Sequence, residues 1–405
     1  MSLWKNYFGL GEVASSGTTP PMADKPLPAN WYTSSEMWEL ERRAVFSRQW
    51  ILISHSLRFS KTGDYLVYRI AGYPIILVRD RQGNFNAFHN ICRHRAFPVV
   101  TEDKGTARIF ACKYHGWSYG LNGNLAKAPG YQEVEGFDKS KNGLFPVHVH
   151  VDNHGFIWVN LDAQEQPEVQ WEDDNNRIQL QKRFTGIKWD EYDFDHTWEM
   201  EGEYNWKLLA VLRTSHLDTE GGTIPDTSEA IARDLKDATT YYFPNTSLTV
   251  TPHYFFMQRF VPSSATKGTM RYEFYRNRNS GAEVELINQT YQHIMTEERD
   301  LCTQIQETLK SGEIHARLET GPFDLQNTVR EIVTKHHNKE QEAGKPIWPA
   351  RQVLPSTATT SSEDVDFCNK LEAKAKATSG GCGAPECCSA SGGGMSCGTN
   401  EALVF

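Results

Sequence analysis

The chain reads Asn90-Ile91-Cys92-Arg93-His94-Arg95 and later Cys112-Lys113-Tyr114-His115-Gly116-Trp117, with seventeen residues between His94 and Cys112. Two Cys-His pairs, spaced Cys-x-His and Cys-x-x-His, offer two thiolates and two imidazoles. That donor set suits a [2Fe–2S] cluster in which Cys92 and Cys112 hold one iron and His94 and His115 the other. Neutral imidazoles replace two anionic thiolates, so the potential rises and the cluster becomes a mid-range electron donor. A structural zinc is the competing reading of four Cys/His ligands. Zinc fingers, however, place paired cysteines about two to four residues apart and then paired histidines, whereas here Cys and His alternate.

Turn chemistry on either side puts each pair at a loop tip. Residues 65–70 and 73–78 are β-rich runs separated by Ala71-Gly72, and Gln82-Gly83-Asn84 turns the chain ahead of 85–89. Residues 107–111 lead into the second tip, and Leu121-Asn122-Gly123-Asn124 leads out of it. Upstream, Thr33 and Glu36 form the pattern of a capping box for a helix through Met37, Leu40, Ala44 and Val45. The apolar run 155–161 ends at Asp162, and the polar, acidic stretch 164–176 with Pro167 reads as a crossing between domains.

Beyond that crossing the pattern changes. Short β-rich runs at 241–243, 247–251, 253–261 and 269–276 predict an antiparallel sheet. Val284, Ile287, Tyr291, Ile294, Leu301, Ile305 and Leu309 then recur at helical spacing, Gly312 supplies a stop, and 328–343 predicts a further amphipathic helix. A sheet covered by helices makes an α+β domain. The expected organisation is a flexible segment at 1–30, a first domain at 31–165, a second at 180–350 and a Cys/Gly-rich tail at 356–405. That tail carries Cys382, Cys387, Cys388 and Cys397 but too little apolar sequence to fold alone, and is expected to be disordered.

Composition narrows the partners. The 405 residues are 39% hydrophobic and 12% aromatic, enough for sizeable cores, and the net charge of −9 argues against a nucleic-acid partner. No apolar run is long enough for a membrane span, and the first residues lack the apolar core of a signal peptide. A reduced intracellular compartment is expected, the cytoplasm first. Residues 15–28 leave an organelle open, although they lack the arginines of a transit peptide.

The segments Cys92-Arg93-His94-Arg95 and Cys112-Lys113-Tyr114-His115-Gly116-Trp117-Ser118-Tyr119-Gly120 resemble the α-subunits of Rieske non-heme iron oxygenases. Residues 137–148, 155–160 and Glu203-Tyr204-Asn205-Trp206-Lys207 are most similar to the fungal choline-monooxygenase-like group, and the likeness runs from about 25 to 340. It implies an all-β Rieske [2Fe–2S] domain followed by an antiparallel-sheet-plus-helices catalytic domain. It further implies electrons from a ferredoxin or flavin reductase, relayed through the cluster to a mononuclear Fe(II) held by two histidines and a carboxylate. With O₂, such an enzyme hydroxylates a quaternary ammonium substrate; for this group the reaction is choline to betaine aldehyde hydrate, towards glycine betaine. A cyclic homotrimer is the usual assembly.

The resemblance assigns two iron ligands by position. His216 matches the second histidine, and Asp300, in Glu298-Arg299-Asp300-Leu301-Cys302, matches the carboxylate. Between Lys207 and His216 the family carries a bridging acid and a first histidine, where this chain reads Leu208-Leu209-Ala210-Val211-Leu212-Arg213-Thr214-Ser215. His293 lies seven residues before Asp300, about 10.5 Å along a helix and too far to share an ion. Glu297, Asp218 and His253 stay open as substitutes. An alternative function follows from the same gap: a catalytically impaired electron-transfer protein or pseudo-oxygenase. For a quaternary ammonium, aromatic faces are needed, and Tyr204, Trp206, Tyr241, Tyr242, Phe243, Tyr254, Phe255 and Phe256 supply either a cage or simply a core.

Overall fold

The β-rich runs at 65–70 and 73–78 fold as the hairpin the turn between them dictates. β2 (Asp64–Ile70) and β3 (Tyr73–Arg79) pair antiparallel from Tyr65 opposite Val78 to Ile70 opposite Tyr73. The two-residue turn holds Ala71 at φ 46° and Gly72 at φ 89°, the left-handed pair that matches the twist of the flanking strands. This is a computed structural model, and it describes residues 26–173, 184, 186–209, 239–281, 284–311 and 323–351. His216, Asp218 and the cysteines of the tail lie outside the described residues. Apart from His94–Ala96, the described chain up to Arg351 belongs to one compact unit.

The hairpin sits in a seven-stranded antiparallel sheet. β1 (Ile51–His55), β4 (Phe85–His89), β5 (Lys104–Thr106), β9 (Pro146–Val151) and β10 (Phe156–Asn160) join it in the order β1-β10-β9-β4-β3-β2-β5. A smaller sheet, β6 (Phe110–Ala111), β7 (Ser118–Tyr119) and β8 (Leu125–Lys127), carries the second Cys-His loop between its first two strands. The second large sheet has the order β11-β15-β14-β13-β12, formed by β11 (Tyr192–Gly202), β12 (Thr239–Tyr242), β13 (Thr246–Val250), β14 (Tyr254–Ser264) and β15 (Lys267–Asn277).

Three α-helices longer than the single turn at Asn30–Thr33 complete the described fold. In α1 (Ser35–Glu41) the cap is Ser34, one residue after the expected Thr33. The Ser34 hydroxyl accepts from the Met37 N–H and donates to the Glu36 carboxylate, while Thr33 bonds back to Ala29 O and closes the preceding turn. α1 widens into a π-turn at Arg42–Phe46. α2 (Val284–Ser311) follows the predicted periodicity and buries Tyr291, Met295 and Cys302. α3 (Phe323–Ala343) begins five residues ahead of the expected 328, because Leu325 is buried there and Gln326 accepts the Leu27 N–H at 2.6 Å. Among the described residues no helix is long and apolar enough to cross a membrane.

Two buried charge clusters fix these elements against one another. Glu41, at the end of α1, accepts from Lys207 Nζ at 2.6 Å and from Trp206 Nε1 at 2.7 Å, and both charged groups are fully buried. Burial pushes the carboxyl up and the amine down, and their contact opposes both shifts. Glu273 on β15 accepts from Ser54 Oγ on β1 (2.9 Å), Tyr68 OH on β2 (3.0 Å), Tyr275 OH (3.1 Å) and Arg259 Nη2 on β14 (3.3 Å). The guanidinium also lies over the Tyr68 ring at 4.8 Å. Burial and the neighbouring Glu273 raise Tyr68 and Tyr275 well above the usual tyrosine range, so both remain donors. Removing one partner of such a cluster leaves an uncompensated buried charge. Glu273→Ala is therefore expected to destabilise the chain by about 3–5 kcal/mol, measured as a lower denaturant midpoint; a loss below about 1 kcal/mol would show that the cluster does not join the two sheets energetically.

Candidate functional site

The first Cys-His loop leaves β4 at His89. Asn90, buried at the loop's root, ties the loop closed: its Oδ1 accepts from the Val99 and Val100 N–H groups and its Nδ2 donates to Val100 O, all within 3.1 Å. Cys92 N–H donates to Phe97 O at 2.8 Å, completing a tight return. Ala96 takes φ 57°, a left-handed backbone uncommon for a residue with a Cβ. His89 itself is buried with neither ring nitrogen hydrogen-bonded among the described residues, and desolvation, with Arg351 nearby, lowers its pKa to about 4. It is therefore neutral at physiological pH.

The second loop repeats the device. Cys112 N–H donates to Trp117 O (2.9 Å), Gly116 N–H donates to Cys112 O (3.0 Å), and Gly116 adopts φ 74° to let the chain reverse. Trp117 anchors this loop edge-on to Tyr131 and Phe137, with ring centroids 5.2 and 5.7 Å away. The loops meet through Lys113 Nζ donating to Thr101 Oγ1 (2.9 Å), through Cys112 Sγ 3.9 Å from Pro98 O, and through the Phe97 and Tyr114 rings 5.3 Å apart.

Burial separates the four ligand candidates into two layers. Cys92 and Cys112 are each 2% exposed and form no disulfide. His94 is half-buried and His115 is exposed, its ring against Tyr114. Two buried soft thiols and two less buried imidazoles are the donor types a mixed-ligand [2Fe–2S] cluster requires. Among the described residues no three His, Cys, Asp or Glu converge as ligands of one ion. A cluster that takes two protein ligands per iron, with sulfides bridging, needs no such convergence.

Tyr119 is the residue that sequence reasoning left without a role. Its OH accepts from the Arg93 N–H at 3.0 Å and lies 3.3 Å from Cys92 Sγ. Burial and the bond to Cys92 hold its pKa well above the ordinary tyrosine value, so the hydroxyl proton is available to the sulfur. The signal in the sequence was its place four residues after His115, on the strand that leaves the second loop.

The second metal candidate is built less completely. Asp300 stands on α2, half-exposed, with its Oδ1 accepting from Arg299 Nε (2.8 Å) and Nη2 (2.6 Å). Glu297 points its carboxylate toward His293 at 3.4 Å. His253 is exposed and bonded to Ser280 Oγ at 2.9 Å. The described residues therefore bring no co-ligand to Asp300, and on their own do not build a mononuclear-iron site. The aromatic candidates are core. Phe255 stacks on Tyr275 (4.3 Å), Tyr204 on Phe260 (4.8 Å) and Phe256 packs on Tyr291 (4.2 Å), while Trp206 is held by Glu41. Most of these faces are filled by neighbouring rings, and the Trp206 ring is already covered by the Lys207 ammonium at 5.2 Å.

Comparison with known proteins agrees with this division. Residues 49–138 match the Rieske [2Fe-2S] domain model, and 213–335 match that of the ring-hydroxylating α-subunit catalytic domain. The glycine betaine monooxygenase oxygenase subunit of Chromohalobacter salexigens is 38% identical over 146 residues, covering 36% of this chain and 32% of that protein. The carnitine monooxygenase oxygenase subunit of Escherichia coli K12 is 35% identical over 136 residues, 34% of this chain and 36% of that one. The matched region thus spans about a third of the length of these relatives. In fold, the chain is similar to the apo form of a quaternary ammonium Rieske monooxygenase, with TM-score 0.60 and 22% identity over 71% of this chain and 86% of the other. Naphthalene 1,2-dioxygenase gives TM-score 0.57 at 17% identity, over 73% and 82%.

Hydrogen bonds to cluster sulfurs stabilise the more negative, reduced state. Tyr119→Phe is expected to lower the reduction potential by tens of millivolts, since about 59 mV corresponds to 1.4 kcal/mol for one electron. Protein-film voltammetry measures this directly, and an unchanged potential would show that the hydroxyl does not serve Cys92.

Proposed function

Because this chain belongs to the Rieske non-heme iron oxygenase α-subunits, we propose that it catalyses O₂-dependent oxidation of a quaternary ammonium compound. The observation that carries the reading is the pair of Cys-His loops, with Cys92 and Cys112 buried, His94 half-buried and His115 exposed. The names of its relatives, carnitine and glycine betaine monooxygenase subunits, support the substrate class. Choline remains the specific substrate proposed from the sequence, with betaine aldehyde hydrate as product.

The division of labour is proposed as well. Cys92, His94, Cys112 and His115 hold the [2Fe–2S] cluster within 31–165, and His216 and Asp300 are ligands of the mononuclear iron within 180–350. The cluster supplies single electrons received from a ferredoxin or flavin reductase. The chain's own contribution is structural and electrostatic. Asn90 and Trp117 fix the two loops, Tyr119 holds a proton toward Cys92 Sγ, and exposed His115 would be the ligand open to a partner. A cyclic homotrimer, in which one subunit's loops face the next, is the proposed assembly.

Purified chain with a competent reductase should consume O₂ in proportion to choline, carnitine or glycine betaine oxidised, and metal analysis should give three irons per chain. Asp300→Ala is expected to abolish turnover by about 100-fold or more, since even outer-shell partners of a metal contribute 10–100-fold, while the visible spectrum of the cluster persists. Two irons per chain and no substrate oxidation would instead establish an electron-transfer protein.

A further inference from the structure

A cavity of about 420 Å³ opens beside the first Cys-His loop, lined by Arg93, Arg351, Lys141, Asn122, Asn124 and Phe145 among others. Two of its cations share one ring. The Arg93 guanidinium lies 3.9 Å from the Phe145 centroid, and the Arg351 guanidinium lies 4.7 Å from the same centroid. Arg93 spends one N–H on Gly143 O at 3.1 Å. Among the described residues neither guanidinium pairs with a carboxylate. The nearby acid, Asp138, is 3.8 Å from Lys141. Carboxylates are not scarce in a chain with 51 acidic and 42 basic side chains. Two like charges held against one ring, with Arg93 half-buried and Arg351 exposed, repel each other, and an anion between them relieves that repulsion.

We propose that this cavity is a binding site for a small free oxyanion, a carboxylate or phosphate, held between the Arg93 and Arg351 guanidiniums with Lys141 at its rim. Guanidinium suits this task because its planar fork donates two parallel hydrogen bonds to such a group, and Phe145 keeps both forks oriented. Asn122 and Asn124 line the same cavity and offer neutral amides. The site also bears on the cluster. Arg93 directly follows Cys92, and its N–H donates to the Tyr119 OH that contacts Cys92 Sγ. A negative charge seated there disfavours the added electron, so occupancy lowers the reduction potential. Only this second effect rests on the cluster; binding itself does not.

The test uses the full chain with its cluster in place. Inorganic phosphate and, separately, citrate are titrated calorimetrically at ionic strength held constant with sodium chloride, and the potential is measured with and without saturating anion. Saturable binding is expected, with a potential that falls on saturation. Arg351→Ala should weaken binding about tenfold or more, the loss of a charge-assisted pair, and Arg351→Lys, which keeps the charge without the fork, by less. The cluster's visible spectrum reports that each variant has folded. A response no different from that to chloride, or equal binding by both variants and the native chain, overturns the site. Binding that leaves the potential unmoved overturns its link to the cluster.

Discussion

One buried carboxylate is shared by the two large sheets. Glu273 belongs to β15, yet two of its four donors, Ser54 and Tyr68, come from the seven-stranded sheet. A charge in that position is tolerable only because every nearby group faces it with a proton or a positive charge. Ser54, Tyr68, Tyr275 and Arg259 cannot all do so unless the sheets stand in a single relation. Packing of Ile53, Ile75, Phe256 and Tyr272 in one apolar core supplies most of the stabilisation. The polar cluster selects which packing is adopted.

The cluster loops inherit their precision from this frame. β4 delivers Asn90, whose three hydrogen bonds close a ten-residue loop, and β7 delivers Tyr119 to the sulfur of Cys92. Neither residue is a metal ligand. Both act as the outer layer that orients ligands and tunes a metal centre. The depth of the thiols and the exposure of His115 follow from where these two residues sit.

The sequence was most readable where local chemistry decides. The hairpin at 64–79 was legible from its β-rich runs and from Ala71-Gly72 between them, and α2 from its apolar spacing. The cap slipped by one residue because Thr33 and Ser34 are both competent hydroxyls and only the helix axis chooses between them. β11 went unread: Tyr-Asp-Phe-Asp-His-Thr-Trp-Glu-Met-Glu-Gly alternates, but its acidic residues resemble a loop. Asn90 and Tyr119 had no visible task because their partners are fixed by tertiary contact. The aromatic run at 254–256 carried equal information for cage and core, and stacking across β14 and β15 decided for core.

That overlooked strand has a consequence for how the chain behaves in company. Among the described residues β11 pairs on one side only, with β15, so the alternate residues that turn their backbone donors and acceptors to the other margin have no strand partner there. Its outward positions are Asp193, Asp195, Thr197, Glu199 and Glu201, and among the described residues arginines answer only Asp193 and Glu199, through Arg278 and Arg271. A second copy laid along this margin in register would set carboxylate against carboxylate. The acidic stripe that hid the strand from sequence reading thus disfavours in-register strand-to-strand stacking along this margin.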